Sequence, residues 1–60
     1  MTLSERRKQK QMTQEYVAEK LGVDRTTVSK WETGENFPSI RLLLPLSRLY
    51  DCTIDELLDE

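Results

Sequence analysis

The chain has 60 residues, 33% of them charged and 37% apolar, with a formal net charge of −2, which allows one domain with a small core (residues 1–60) and leaves no room for a second. It contains no run of eighteen or more apolar residues, and its charged start MTLSERRKQKQ has no apolar stretch behind it, so neither a membrane span nor an export signal is expected and the location should be cytoplasmic. One cysteine and no histidine exclude an internal disulfide and the usual zinc and general-base sets, so no enzyme, no metal and no cofactor is expected.

Residues 2–11, TLSERRKQKQ, predict a basic helix capped by Thr2 or Ser4, with Leu3 and the stems of Arg6 and Arg7 toward the core and Lys8 and Lys10 toward water. Such a run is either an ordinary solvated face or a phosphate contact. The flexible side chain of Met12 suits the gap where the first two helices meet. Thr13 caps the next helix, in which Val17, Ala18 and Leu21 form one apolar stripe. Gly22 takes the left-handed backbone that stops it, and Val23 tucks beneath the turn. Asp24 then offers a carboxylate to the free N–H groups and positive dipole end of a second helix, 25–33. There Val28 and Trp31 face inward and leave Arg25, Thr26, Thr27, Ser29 and Lys30 outside.

Residues 14–33 are therefore two short helices joined by a tight turn, a helix-turn-helix pattern whose outer face can read DNA. A major groove admits one α-helix; arginine and lysine pair there with guanine O6 and N7, and threonine bonds or touches a thymine methyl. A polar helix face alone is ordinary. What is specific is Ala18, a turn glycine four residues on, and apolar residues at 28 and 31.

Gly34 ends the second helix, and Pro38 pushes Phe37 toward an extended backbone. Ser39 caps a helix in SIRLLLPLSRLY whose core stripe is Ile40, Leu43, Leu46 or Ser47, and Tyr50. Pro45 removes a backbone N–H there and predicts a late helix start or a kink. Leu42 and Leu49, seven apart on a neighbouring face, and Leu58 beyond them make a candidate dimer surface unless the core absorbs them. Asp51 ends the helix where glycine would be easier, Cys52 reads as a small core residue, and Thr53 caps a last turn or two with Ile54 and Leu57 inward. No strand pattern alternates over four residues, so the expected class is all-α, five short helices.

The charge is divided along the chain. Residues 1–50 hold all nine Lys and Arg against six acids, a balance of +3, while residues 51–60 hold five acids. A field that decays over a Debye length of about 8–10 Å lets a basic face dock on DNA despite an acidic end.

Thr13-Gln14, Leu21-Gly22-Val23, Trp31-Glu32, Gly34 and Pro38, with Arg7 upstream and Tyr50 through Leu57 downstream, resemble the Cro/C1-type regulators, or XRE family, typified by phage repressors. The resemblance covers essentially the whole chain. It implies a compact five-helix domain of the phage-repressor-like DNA-binding type, whose third helix enters the major groove, commonly as a dimer on a two-fold operator. By position, Gln14 looks like the residue that contacts phosphate and braces the recognition helix, Arg25, Thr26 and Lys30 look like the base readers, and Thr27, Ser29 and Asn36 look like backbone contacts. The resemblance also suggests a buried ion pair between Arg7 and Glu32, consistent with a charge beside Trp31 in an apolar stretch. Glu35 departs from the family, where many members have a basic residue.

The expected function is a sequence-specific regulator of transcription that binds double-stranded DNA as a homodimer and represses by occupying a palindromic operator. The alternative is an interaction module of antitoxin or adaptor type, in which a protein partner covers Leu42, Leu49 and Leu58.

Overall fold

The computed structural model describes residues 1–58. They form α1 (Leu3–Gln9), α2 (Gln14–Leu21), α3 (Arg25–Thr33), α4 (Ile40–Leu49) and α5 (Ile54–Leu58), with no strand among the described residues. This is the expected all-α, five-helix domain.

Threonine closes three of the helix starts. The Thr2 hydroxyl accepts from the Glu5 N–H while the Glu5 carboxylate accepts from the Thr2 N–H, so two orphan donors are satisfied reciprocally and Thr2, not Ser4, is the cap. Thr53 and Glu56 repeat the arrangement at α5, and Thr13 accepts from the Tyr16 N–H at α2. Asp24 and Ser39 hold the cap positions of α3 and α4, but neither side chain makes the expected cap hydrogen bond. What Asp24 contributes is charge beside the positive end of α3.

Gly22 and Gly34 end α2 and α3 with φ of 71° and 82°. Past Gly22 the Val23 N–H donates to the Ala18 carbonyl at 3.0 Å, which closes the turn and sets α3 across α2. The core consists of Leu3, Val17, Ala18, Val28, Trp31, Leu46, Tyr50 and Leu57, so every helix supplies at least one residue to it. Met12, Leu21, Val23, Leu43 and Cys52 pack around its margin. Cys52 is thus half-buried rather than central, and burial pushes its thiol above the ordinary value.

Two expectations for α4 are corrected. Ile40 is 84% exposed and not part of the core, while Leu46 and Ser47 are both buried. Ile40 is the first residue of the helix, where side chains lean back past the N-terminus, and Pro38 is the buried apolar group at that end. Nor does α4 start late: it runs from Ile40 with Pro45 inside it. Pro45 and Arg41 are both exposed, and on an exposed side of a helix a missing N–H partner costs least.

Gln11 and Asp51 adopt left-handed φ values of 58° and 55°. The Lys10 ammonium lies 3.3 Å from the Asp51 carboxylate, an exposed pair of small worth. Asp51→Gly is therefore expected to raise stability by about 0.5–1 kcal/mol, because removing Cβ relieves the left-handed strain. Urea denaturation measures it; a loss of stability would mean that the Lys10 pair outweighs the strain.

Candidate nucleic-acid interface

The orientation of α3 follows from its buried side. Val28 and Trp31, 0% and 6% exposed, lie in the core with Val17 and Ala18 of α2. With that face fixed, Arg25, Thr26 and Lys30 are exposed, Thr27 and Ser29 are half-buried, and Asn36 is exposed in the loop beyond Gly34. The six α3 and loop residues singled out from the sequence are thus exposed or half-buried, with Arg25 at the first turn of α3 and Lys30 about 7.5 Å further along its axis.

Behind this face runs a line of polar contacts. Arg7 Nε meets Glu32 Oε2 at 2.6 Å and Arg7 Nη2 meets Oε1 at 3.2 Å, with side chains only 12% and 8% exposed. Arg7 Nη1 also donates to the Met12 carbonyl at 2.8 Å, so one guanidinium ties α1, the first interhelical loop and α3. Gln14 Nε2 donates to Glu32 Oε1 at 2.9 Å. A carboxylate only accepts, so the Gln14 amide nitrogen turns inward and its oxygen outward, where it accepts from Arg25 Nη1 at 3.2 Å. The buried ion pair thereby holds the start of α2, and through it the first residue of α3. The second N–H of Gln14 remains for an outside acceptor.

Burial alone would raise the Glu32 carboxyl, but hydrogen bonds from Arg7 and Gln14 and the Arg7 charge outweigh it and hold the group below its ordinary value. The Arg7 guanidinium is raised, first by its hydrogen bond to Glu32. Tyr50 is pushed up to about 12, mainly by burial and next by the Glu32 charge. The other basic residues of α1 divide by task. Arg6 Nη2 donates to the Glu56 carbonyl of α5 at 3.2 Å, so Arg6 braces packing, whereas Lys8 and Lys10 are exposed.

Two acids stand on this face, Glu35, already marked by its departure from the family, and Glu15, which the sequence did not single out. Glu15 lies 3.9 Å from Arg25 Nε, and Glu35 lies 3.8 Å from Lys30 Nζ, all four side chains being well exposed. The sequence signal for Glu15 is adjacency to Gln14; for Glu35 it is the departure from a usually basic position, five residues beyond Lys30. Of the leucines considered for assembly, Leu42 and Leu49 are half-buried against the core and Leu58 is 53% exposed. No cluster able to hold a metal ion occurs among the described residues, and no helix among them is long and apolar enough to cross a membrane.

The family described as Helix-turn-helix matches residues 3–57. Over 56 residues the chain is 46% identical to the HTH-type transcriptional activator BcrR of Enterococcus faecalis, covering 93% of this chain and 28% of that protein. It is 41% identical over 56 residues to the HTH-type transcriptional regulator AnsR of Bacillus subtilis (strain 168), covering 93% of this chain and 48% of the other. The chain thus spans between about a quarter and a half of the length of these relatives. No solved structure matches it. A match that runs from the first residue of α1 to the buried Leu57 of α5 takes in the turn at Gly22, the Arg7–Glu32 pair and the outer face of α3, and the chain belongs to the helix-turn-helix family of XRE type.

Proposed function

We propose that this domain binds double-stranded DNA sequence-specifically and regulates transcription in the cytoplasm, laying α3 in the major groove of a palindromic operator as one half of a homodimer. The observation that carries the reading is the two-sidedness of α3: Val28 and Trp31 pin it to the core while Arg25, Thr26 and Lys30 are exposed on the other side. Those three read base edges. Thr27, Ser29, Asn36 and Gln14 take phosphate oxygens, which fix register but carry no sequence information.

Occupying an operator excludes other proteins, so the outcome is repression. A relative named as an activator is 46% identical, so the direction of control does not lie in this fold alone. One domain makes few phosphate contacts; two, about 34 Å apart on the duplex, double them and read a palindrome. Leu58, with the outer parts of Leu42 and Leu49, is the surface proposed to join them. The acidic residues Asp59 and Glu60, expected at that end, lie outside the described residues. The alternative, an interaction module of antitoxin or adaptor type, is favoured by Ile40 and Leu44, 84% and 47% exposed and one turn apart on α4.

Selection of duplexes from a random pool, with sedimentation of the chain alone and on the recovered duplex, tests the reading. A palindromic consensus bound by two chains supports it. Recovery of no consensus would favour the interaction module, and a single chain on the duplex would remove the dimer.

A further inference from the structure

Both cations assigned to base reading are paired with a carboxylate from outside α3: Arg25 with Glu15 of α2, at 3.9 Å, and Lys30 with Glu35 of the following loop, at 3.8 Å. As surface ion pairs they add little to stability. Their consequence is for the field that approaching DNA meets. Random DNA is held almost wholly by attraction between phosphates and protein cations, an effect set by net charge at the face. A carboxylate within 4 Å of each cation cancels most of that charge at the distance of a phosphate.

Base reading is affected differently. A guanidinium has five N–H donors, enough to keep the Nη1 hydrogen bond to Gln14 Oε1 and the Glu15 carboxylate near Nε and still offer two donors to guanine O6 and N7. The short-range contact at the correct base survives, held in a narrower range of orientations, while the long-range attraction to any phosphate is reduced.

We propose that Glu15 and Glu35 are specificity-determining residues that set the ratio of operator binding to random-DNA binding, an inference that rests on the DNA-reading role of α3 proposed above. They act by neutralising the two readers until a matching base replaces the phosphate as partner.

The test uses Glu15→Gln, Glu35→Gln and the double variant on two probes: the duplex recovered by selection and a scrambled duplex of equal length and composition. Glutamine keeps the acceptor oxygen and removes the charge. Each single variant should bind the scrambled duplex roughly three- to tenfold more tightly near physiological salt and steepen its log K against log salt by about one. Affinity for the selected duplex should rise less, so the ratio falls. Asp55→Asn makes the same change of net charge on α5, where the residue is exposed, and should leave the ratio in place. An unchanged ratio in the double variant, with the parent still preferring its selected duplex, overturns the proposal alone. So does an equal fall with Asp55→Asn. A parent with no preference between the two probes overturns both this inference and the DNA-reading role beneath it.

Discussion

Arg7→Met is expected to destabilise the domain by ~3–5 kcal/mol, since it leaves Glu32 with a desolvated charge and only Gln14 as partner. Measured against a total of roughly 3–9 kcal/mol for 60 residues, that is most of the stability. It corresponds to a fall in melting temperature of at least ~12 °C. Glu32→Gln strands the guanidinium instead and should cost a similar amount. The loss also has a pH signature. The folded-state pKa of Glu32 is depressed, so the stabilisation it gives is complete above the ordinary carboxylate range and disappears as pH falls through the folded value. In Arg7→Met, burial without the cation raises that pKa, so acid relieves the variant while it weakens the parent. The gap between parent and variant should therefore narrow from pH 7 to pH 3 in thermal melts. Variants that melt within a degree or two of the parent at neutral pH would mean that the pair is structurally idle.

The other large effect is expected at Leu46, whose side chain is fully buried where α4 packs on α2 and α5. Leu46→Ala removes three buried carbons and leaves a cavity, typically a loss of ~2–5 kcal/mol. Ile40→Ala, on the same helix but at an 84% exposed position, should stay within about 0.5 kcal/mol of the parent. Urea unfolding of the two side by side tests which part of the α4 stripe is core. Equal losses would contradict the burial pattern described here.

Which features were legible in the sequence depended on how local their causes are. The stop at Gly22, the caps at Thr2, Thr13 and Thr53, and the inward pair Val28 and Trp31 each follow from residues within one or two turns, and each stands where the local chemistry puts it. Ile40 continues the core-facing periodicity of α4 in sequence but is 84% exposed, because periodicity does not say where a helix runs past its neighbours. Pro45 predicts a late start or a kink because its intrahelical penalty is large; that α4 runs from Ile40 with Pro45 on an exposed side is a tertiary fact. Asp24 and Ser39 have cap chemistry but make no cap bond, since a cap also needs a side-chain rotamer that sequence does not specify. The line from Arg7 through Glu32 and Gln14 to Arg25 spans three helices, α1, α2 and α3. Family resemblance pointed to its first pair and to Gln14 as a brace, but the inward turn of the Gln14 amide needed the fold.

Base preference of Arg25→Ala tests the central claim, that the outer face of α3 reads DNA, most directly. Arg25 is exposed at the first turn of the helix, away from the core, so its loss leaves folding intact and bears on recognition. Affinity for the selected duplex should fall by ~1–3 kcal/mol and preference should relax at one base pair, or at one in each half of a palindrome. Asn36→Ala, by contrast, should weaken matched and scrambled duplexes alike, as expected of a phosphate contact. The measurement is the affinity of parent and variants for every single-base substitution of the selected duplex. The account predicts one flattened position for Arg25→Ala and an unchanged profile, uniformly lowered, for Asn36→Ala; a uniform loss for Arg25→Ala, with every base preference retained, would contradict it.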